Sequence, residues 1–162
     1  MAESQKKSQQ PQQIENRKAR HDYFIHDTHE AGISLLGSEV KSIREGRVNL
    51  KDSFVRILNK QAYLFNCHIT PYSKIQGHIE MDPIRSRKLL LHKDQIEKLA
   101  GLVSQKGFAI VPLKMYFKKG LVKVAIALVK GKKEFDKRDD IKKRIHDRES
   151  SAAIKHHQRK QR

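Results

Sequence analysis

The apolar residues of this chain recur mostly at every second position, which is the spacing of strands. In one run, Phe54, Arg56 and Leu58 lie on one face and Val55 and Ile57 on the other. An Asn-Lys pair follows, and a second β-rich run, "QAYLFNCHI", comes directly after it. Two such runs joined by a short polar turn predict a β-hairpin.

Two longer regions also have the spacing of strands. The segment "HDYFIHDTHEAGISLL" predicts two strand segments, with Gly32 as a bulge or bend in the run. The segment "FAIVPLKMYFKKGLVKVAIALVKG" predicts two β-rich runs around "KKG". Because Pro112 has no backbone N–H, we expect its run to be an edge strand or to contain a bulge.

Helical spacing occurs in two places. The segment "GSEVKSIREG" predicts a short helix that Ser38 caps and Gly46 ends. The segment "LLHKDQIEKLAGLVSQKG" predicts a longer helix with Gly107 as its stop. The apolar residues that predict this longer helix are Leu91, Ile96, Leu99, Leu102 and Val103.

These elements predict three parts in the chain. Residues 1–15 are rich in Gln and Ser and are expected to be a disordered extension. Residues 16–130 hold five or more short strands and two helices, which favours a mainly β fold: a small, partly open β-barrel of the oligonucleotide-binding type, with a loop at 71–88. Residues 131–162 are a basic tail with too few apolar side chains to pack a wide face on the barrel.

The composition indicates a polyanionic partner. The 35 Lys and Arg exceed the 18 Asp and Glu, so the formal net charge is +17. No apolar run approaches the roughly 20 residues that span a bilayer, and the first residues lack the apolar stretch of a secretory signal. We therefore expect a cytoplasmic protein with no membrane partner.

The sequence offers little support for catalysis. It contains no nucleotide-binding Walker loop, no Gly-x-Ser-x-Gly motif and no His-Glu-x-x-His motif. Cys67 is the only cysteine, which excludes an intrachain disulfide and a Cys-rich zinc site and favours a small buried apolar side chain. We predict that the protein is not an enzyme and uses no cofactor or metal.

Basic clusters with nearby aromatic residues are the most informative feature. They occur at 16–21, 84–88 and 116–123 and in the tail. Most charged runs are solvated surfaces, but here the excess is large and aromatic residues such as Tyr23, Tyr72 and Tyr116 interrupt it. Cations on phosphates and rings on unstacked bases are the contacts that RNA binding uses.

Four longer motifs carry a family resemblance. In order along the chain, "NRKARHDYFI", "EAGISLLGSEVKSIREGRVNLKDSF", "RSRKLLLH" and "KGKKEFDKRDDIKKR" resemble the SmpB family, the SsrA-binding proteins of bacterial trans-translation. The match runs from about residue 16 to residue 148. The resemblance implies an oligonucleotide-binding-type barrel that binds the tRNA-like domain of tmRNA (SsrA RNA). It also implies delivery of that RNA to stalled 70S ribosomes with elongation factor Tu and GTP, by a monomer.

The resemblance also implies which residues contact tmRNA. They are Asn16, Arg17, Lys18, Arg20, His21, Glu30, Arg85, Arg87, Lys88, Leu90 and His92. Family members often have Asn at the position of His92, which can still bond RNA or cap the following helix. For Glu30, an ion pair within the protein is an equal alternative.

The tail motif has a separate implied role. In the family the tail is disordered when free and becomes helical on the small ribosomal subunit, against its rRNA, in the empty mRNA path. Acid-before-base pairs four residues apart, such as Glu134 with Arg138, each add about 0.2–0.5 kcal/mol to such a helix. The implied ribosome-binding residues are Gly131, Lys132, Lys133, Phe135, Asp136, Lys137 and Arg138. For Phe135, packing on the barrel is an equal alternative to stacking on an rRNA base.

Two other functions remain as alternatives. A structural ribosomal or initiation-type RNA-binding protein with the same barrel would bind rRNA permanently. A small ribonuclease would use His21 or His92 as acid and base, but the sequence offers no second positioned catalytic group.

Overall fold

The structure is a computed structural model, and it describes residues 13–72, 82–105 and 107–160. Most of the predicted extension and the middle of the predicted loop at 71–88 lie outside these ranges. The strands are β1 (Ile14–Glu15), β2 (Tyr23–Ile33), β3 (Val48–Asn49), β4 (Phe54–Leu58), β5 (Gln61–Phe65), β6 (His68–Ile69), β7 (Arg87–Leu90), β8 (Phe108–Lys118) and β9 (Leu121–Gly131). The helices are α1 (Arg17–Asp22), α2 (Gly37–Arg44), α3 (Lys93–Val103) and α4 (Glu134–Lys160).

Six strands form a closed barrel. Strands β8, β4, β5, β7, β2 and β9 are neighbours in that order, and β9 pairs again with β8. All of these pairings are antiparallel, and β1 adds to β8 outside the ring. The predicted mainly β, oligonucleotide-binding-type fold is confirmed, although the ring is fully closed rather than partly open.

The apolar residues form two cores on opposite sides of the barrel wall. The main core fills the interior with side chains such as Leu64, Leu89 and Met115, which are almost fully buried. A smaller core lies outside the wall, where Ala19 of α1 packs against β8 and β9. Helix α1 is therefore held to the outer surface by burial of apolar area.

The predicted hairpin is present as β4 and β5. Phe54 pairs with Phe65, and Leu58 pairs with Gln61 at the turn. The turn residues Asn59 and Lys60 have φ angles of 49° and 56°. Two successive left-handed residues are the geometry of a type I′ turn, whose twist matches that of the strands.

Strand β2 differs from the prediction. It is one strand of 11 residues rather than two, and its bulge lies between Ile25 and Asp27 rather than at Gly32. Gly32 instead allows a close approach, since a Cβ at this position would lie 3.1 Å from Cβ of Leu90. The bulge expected near Pro112 is present between Pro112 and Lys114 in β8.

Helices α2 and α3 begin at residues that differ from those predicted by the sequence pattern. Helix α2 has Leu36 as its N-cap, whose backbone N–H donates to Oε2 of Glu39 at 2.8 Å, so the predicted capping by Ser38 is wrong. Helix α3 begins at Lys93, because β7 occupies Arg87–Leu90, part of the predicted loop and helix. The short strand was missed because its four residues give too short a pattern to separate from a loop.

The barrel extends beyond the predicted limits, residues 16 and 130, at both ends. Ile14 and Glu15 pair with Met115 and Lys114, so the expected extension ends before residue 14. Strand β9 includes Gly131, and the tail continues as α4, a helix of 27 residues. The loss of this helix in the free protein stays a prediction. No helix in the described ranges is long and apolar enough to span a membrane.

Candidate nucleic-acid interface

A groove of about 600 Å³ opens between β2, β5, β7, β9 and the start of α3. Four of the residues that the resemblance implied as RNA contacts line it: Glu30, Lys88, Leu90 and His92. They come from two separate segments of the chain, β2 and residues 88–92, which the antiparallel pairing of β2 with β7 brings together. The fold thus assembles part of the predicted site in one concave surface.

The alternation of β7 decides which of its residues reach this groove. Arg87 and Leu89 point inward and are 1% exposed, whereas Lys88 and Leu90 point outward. Leu90 is 55% exposed, a large value for an apolar side chain, and it lies over Gly32 of β2. The groove therefore offers an apolar contact next to a cation.

The groove also contains residues that sequence reasoning missed. They are Lys60 in the hairpin turn, Gln61 at the start of β5, Gln95 in the first turn of α3 and Lys123 in β9. Lys123 belonged to a recognised basic cluster, but only the pairing of Gly32 with Lys123 places it beside Glu30. The other three carried no signal in the sequence, because single polar residues at turns and helix starts are common.

The carboxylate of Glu30 is engaged within the protein. It accepts a hydrogen bond from the hydroxyl of Tyr116, and Nζ of Lys118 lies 2.9 and 3.0 Å from its two oxygens. The hydrogen bonds from Tyr116 and Lys118 lower the pKa of Glu30, and the same contact raises the pKa of Tyr116 to about 12. The ion pair that the sequence left open for Glu30 is present, and its side chain remains exposed to a ligand.

The cations of the groove are not neutralised in this way. Within the described ranges, Lys60, Lys88 and Lys123 form no ion pair. Three uncompensated ammonium groups around one carboxylate leave the groove positive. Such a surface attracts phosphates, while the amides of Gln61 and Gln95 can donate and accept hydrogen bonds.

The implied RNA contact of Arg87 stays a prediction, and its guanidinium is engaged within the protein. Its side chain is 1% exposed, and its Nε donates to Oε1 of Glu39 at 2.7 Å. Its two Nη atoms donate to the backbone oxygens of Cys67, Arg85 and Pro83 at 2.6–3.0 Å. Four hydrogen bonds made inside the protein, together with its burial, leave this guanidinium little access to a phosphate.

Glu39 is the centre of this buried cluster, which we call the Glu39 cluster: Glu39, Arg85 and Arg87. Glu39 is 2% exposed and accepts from Nε of Arg87 and from both Nε and Nη2 of Arg85. Burial by itself raises the pKa of Glu39, but the hydrogen bonds from Arg85, from the Leu36 backbone and from Arg87 outweigh it, and the pKa lies below its ordinary value. Arg85 is only partly exposed and has most of its guanidinium committed here.

The first predicted motif, at 16–21, also divides into buried and exposed residues. Asn16 is 6% exposed and donates through Nδ2 to the backbone oxygens of Leu50 and Pro112, both at 3.0 Å. Its Oδ1 accepts from the backbone N–H of Ala19, which caps α1. The polar atoms of Asn16 therefore anchor α1 to the barrel, and its implied RNA contact stays a prediction.

The remaining residues of that motif lie on the outer side of α1. Arg17, Lys18 and Arg20 are exposed, although Lys18 pairs with Asp52 at 2.6 Å. Nδ1 of His21 lies 2.8 Å from Oδ1 of Asp22. These side chains can reach a ligand, but none of them lines the groove.

The start of the tail is attached to the barrel by a set of residues that we call the junction: Asp22, Lys132, Asp136, Lys137 and Asp140. The backbone N–H of Lys132 donates to the carbonyl of Asp22 at 2.9 Å, and its Nζ lies 2.5 Å from Oδ2 of Asp140. Asp136 accepts from the backbone N–H of Lys133, and Lys137 lies 3.7 Å from Asp22. The junction thus neutralises its cations with carboxylates of the same chain.

Several tail residues of the predicted ribosome-binding set are placed differently. Gly131 pairs with Tyr23 as the last residue of β9, and the Lys132 side chain is 7% exposed. Lys133 and Arg138 are exposed, and the side chain of Phe135 lies outside the part that the structure describes. The junction and the groove lie at opposite ends of β2 and β9, since Tyr23 pairs with Gly131 and Gly32 with Lys123.

Metal binding and thiol chemistry have little support in the described ranges. They contain no group of three or more His, Cys, Asp or Glu side chains that could hold a metal ion. Burial raises the pKa of the Cys67 thiol to about 11, so it stays protonated at neutral pH. The interpretation of Cys67 as a small buried apolar residue is confirmed, because its side chain is fully buried.

Known sequences similar to this chain point to one family. A sequence model of the SmpB protein family matches residues 13–156. The SsrA-binding protein of Caldanaerobacter subterraneus subsp. tengcongensis is 57% identical over 145 residues, which cover 89% of this chain and 90% of that protein. The SsrA-binding protein of Enterococcus faecalis is 56% identical over 146 residues, which cover 90% and 94%.

A solved structure is similar as well. It is described as "tmRNA-SmpB: a journey to the center of the bacterial ribosome", and it matches with a TM-score of 0.64 and 50% sequence identity. The match covers 75% of this chain and 85% of that chain. The resemblance of the four sequence motifs is therefore confirmed, and this chain belongs to the SmpB family.

Proposed function

We propose that this chain is an RNA-binding adaptor of trans-translation, without catalytic activity of its own. In this proposal the barrel binds the tRNA-like domain of tmRNA and brings it to stalled ribosomes together with elongation factor Tu and GTP. The observation that carries the proposal is the groove, which assembles Glu30, Lys88, Leu90 and His92 from distant segments and adds Lys60 and Lys123. The names of its relatives, SsrA-binding proteins, support the choice of RNA.

The groove can recognise folded RNA by shape and by charge. Lys60, Lys88 and Lys123 supply cations for successive phosphates, and their charges are not compensated within the described ranges. Leu90 provides an apolar contact for a ribose or an exposed base. Glu30 accepts hydrogen bonds, and the 2′-hydroxyl that distinguishes RNA from DNA can donate one. The bonds from Tyr116 and Lys118 hold its carboxylate in place.

The tail supplies the second part of the proposal. Helix α4 carries charged residues on all sides, and its apolar residues Ile141 and Ile145 are 43% and 52% exposed. A helix with so little buried area is held mainly at its start, by the junction. We propose that rRNA phosphates of the small subunit stabilise α4 in the vacant mRNA channel, so that the helix detects a ribosome without message.

The binding part is tested by competition between the tRNA-like domain of tmRNA and an elongator tRNA at fixed salt. Lys123→Ala is expected to weaken binding of the tRNA-like domain and to lower the slope of log affinity against log salt by somewhat less than one. Lys98→Ala is the matched control, because Lys98 already pairs with Asp27 at 3.3 Å. Equal effects of both variants would mean that only net charge matters and that the groove is not the binding site.

The tail part is tested by truncation after Lys133. Truncation at this point keeps the pairing of Gly131 with Tyr23 and the backbone bond from Lys132 to Asp22. The truncated protein is expected to stay folded and to bind the tRNA-like domain near physiological salt, but to fail in tagging on a message without a stop codon. Normal tagging by the truncated protein in a reconstituted translation system would contradict the role of α4.

A further inference from the structure

The outward face of β4, β5 and β7 carries an aromatic and cationic surface beside the groove. Alternate residues of these strands, such as Val55, Leu64 and Leu89, are buried in the barrel, so the residues between them point outward. We call this surface the hairpin face. It consists of Phe54, Arg56, Tyr63, Phe65 and Lys88.

Three planar groups lie close together on this face. Phe54 and Phe65 are cross-strand partners, with ring centroids 5.5 Å apart and an angle of 12° between the ring planes. The guanidinium carbon of Arg56 lies 5.4 Å from the centroid of the Phe54 ring. Both rings are half-buried, whereas Arg56 is exposed. The rings thus orient the guanidinium and leave it accessible to a ligand.

The charge of the face is of one sign. The register pairs Arg56 with Tyr63 and Tyr63 with Lys88, so two cations flank an aromatic ring in one row across the strands. Strands β4, β5 and β7 contain no acidic residue. In the part of the chain that the structure describes, neither Arg56 nor Lys88 forms an ion pair. A polyanion is the complementary ligand for such a row.

The face also connects two other cationic surfaces. Lys88 lies in the groove at one end. Phe54, at the other end, lines a smaller cavity of about 210 Å³ under α1 together with Lys18. A chain of nucleotides that runs from the groove to the exposed cations of α1 would cross the hairpin face.

We propose that the hairpin face binds an unpaired stretch of RNA, with one base stacked on the guanidinium plane of Arg56 and neighbouring phosphates near Lys88. Bases within a duplex cannot reach this plane, because their faces are covered by neighbouring base pairs, so the ligand must be single-stranded. Stacking tolerates any base, and we expect little sequence preference. The inference rests on the proposed function only in taking RNA as the ligand of the adjoining groove.

The test uses the full chain and a single-stranded RNA of about 12 nucleotides that contains one 2-aminopurine. Arg56→Lys keeps the charge but removes the plane, and it is expected to weaken binding by about five- to tenfold and to reduce the change in 2-aminopurine fluorescence. The salt slope should not change, because the charge is kept. Arg44→Lys is the matched control, since its guanidinium lies 5.6 Å from the Phe117 ring, and it should bind like the unchanged protein.

The outcomes separate this inference from the proposed function. If Arg56→Lys binds the oligonucleotide like the unchanged protein, the hairpin face does not stack RNA, even where Lys123→Ala weakens binding of the tRNA-like domain. Weak binding by Arg56→Gln together with full binding by Arg56→Lys would identify a charge contact and overturn stacking. A face that serves a protein partner would leave RNA binding unchanged in both Arg56 variants, which also overturns the inference.

Discussion

The Glu39 cluster and the groove are built from the same short strand, β7, yet they use their cations in opposite ways. In the cluster, Arg87 is 1% exposed and bonds to Glu39 and to backbone oxygens. In the groove, Lys88 is exposed and forms no ion pair in the described ranges. Adjacent residues in one basic motif are therefore committed inside the protein in one case and open to a ligand in the other. The alternation of a strand, and not the density of charge, separates these two roles.

The largest expected effect is that of Arg87→Ala. This change leaves Glu39 buried with one partner fewer and removes a hydrogen bond from each of three backbone oxygens, so we expect the free energy of unfolding to fall by about 3–5 kcal/mol. Urea denaturation measures this loss, with Lys88→Ala as the matched control that should stay near the unchanged protein. If Arg87→Ala has the same free energy of unfolding as the unchanged protein but a lower salt slope of RNA binding, then Arg87 binds RNA and does not stabilise the fold.

Acid should destabilise the Glu39 cluster. The pKa of Glu39 is lowered in the folded protein from its ordinary value of 4.5. Its contribution to stability is therefore complete above pH 4.5 and is lost as the pH falls through the lower folded pKa. In Glu39→Gln, which is less stable at neutral pH, the free energy of unfolding should depend less on pH in this acidic range. Urea titrations at several pH values check this, and equal slopes for both proteins would contradict it.

The junction provides a third comparison, with a smaller expected effect. Lys132 is 7% exposed and pairs with Asp140, so Lys132→Ala removes a contact between the barrel and the first turns of α4. We expect faster hydrogen exchange at residues 134–140, corresponding to about 1 kcal/mol, with no change in the barrel strands. Lys142→Ala, at an exposed position further along α4, is the control. Unchanged exchange at 134–140 would show that Lys132 does not hold the helix.

The smallest expected effect is that of Lys88→Ala on RNA binding. The loss of one phosphate contact should lower the salt slope by somewhat less than one and leave the unfolding free energy unchanged. Binding of the tRNA-like domain over a range of salt concentrations checks this. If Lys88→Ala keeps the salt slope of the unchanged protein, Lys88 is solvated and does not contact a phosphate of the RNA.

The sequence predicted the regular parts of the fold well. The β4–β5 hairpin, the long β8–β9 pair and the bulge near Pro112 follow from alternation and from the missing N–H of proline. Strand β7 was missed, because four residues beside a polar loop carry too little pattern. Closure of the ring also depends on pairings between distant segments, which no local pattern contains.

The site was predictable in its residue types and not in its geometry. Lys88, Leu90 and His92 do line one groove with Glu30, but Asn16 and Arg87 are buried and serve the fold. A sequence motif does not distinguish a basic residue that is buried in the fold from one that is exposed on the surface. Only the register of the strand shows whether its side chain points inward or outward. Sequence reasoning also had no means of finding Glu39, because the partners of a buried carboxylate are 46 and 48 residues away.

The pairing of β2 with β9 fixes a length as well as a shape. The groove and the junction lie at opposite ends of this pair, and the nine residue-to-residue steps from Tyr23 to Gly32, at about 3.3 Å each, separate them by roughly 30 Å. Hydrogen bonds along both strands make that span stiff. Two residues added to each strand would lengthen it by roughly 7 Å while preserving which side chains face inward. The distance between the groove and the tail is therefore a property that can be altered independently of the residues that line either one.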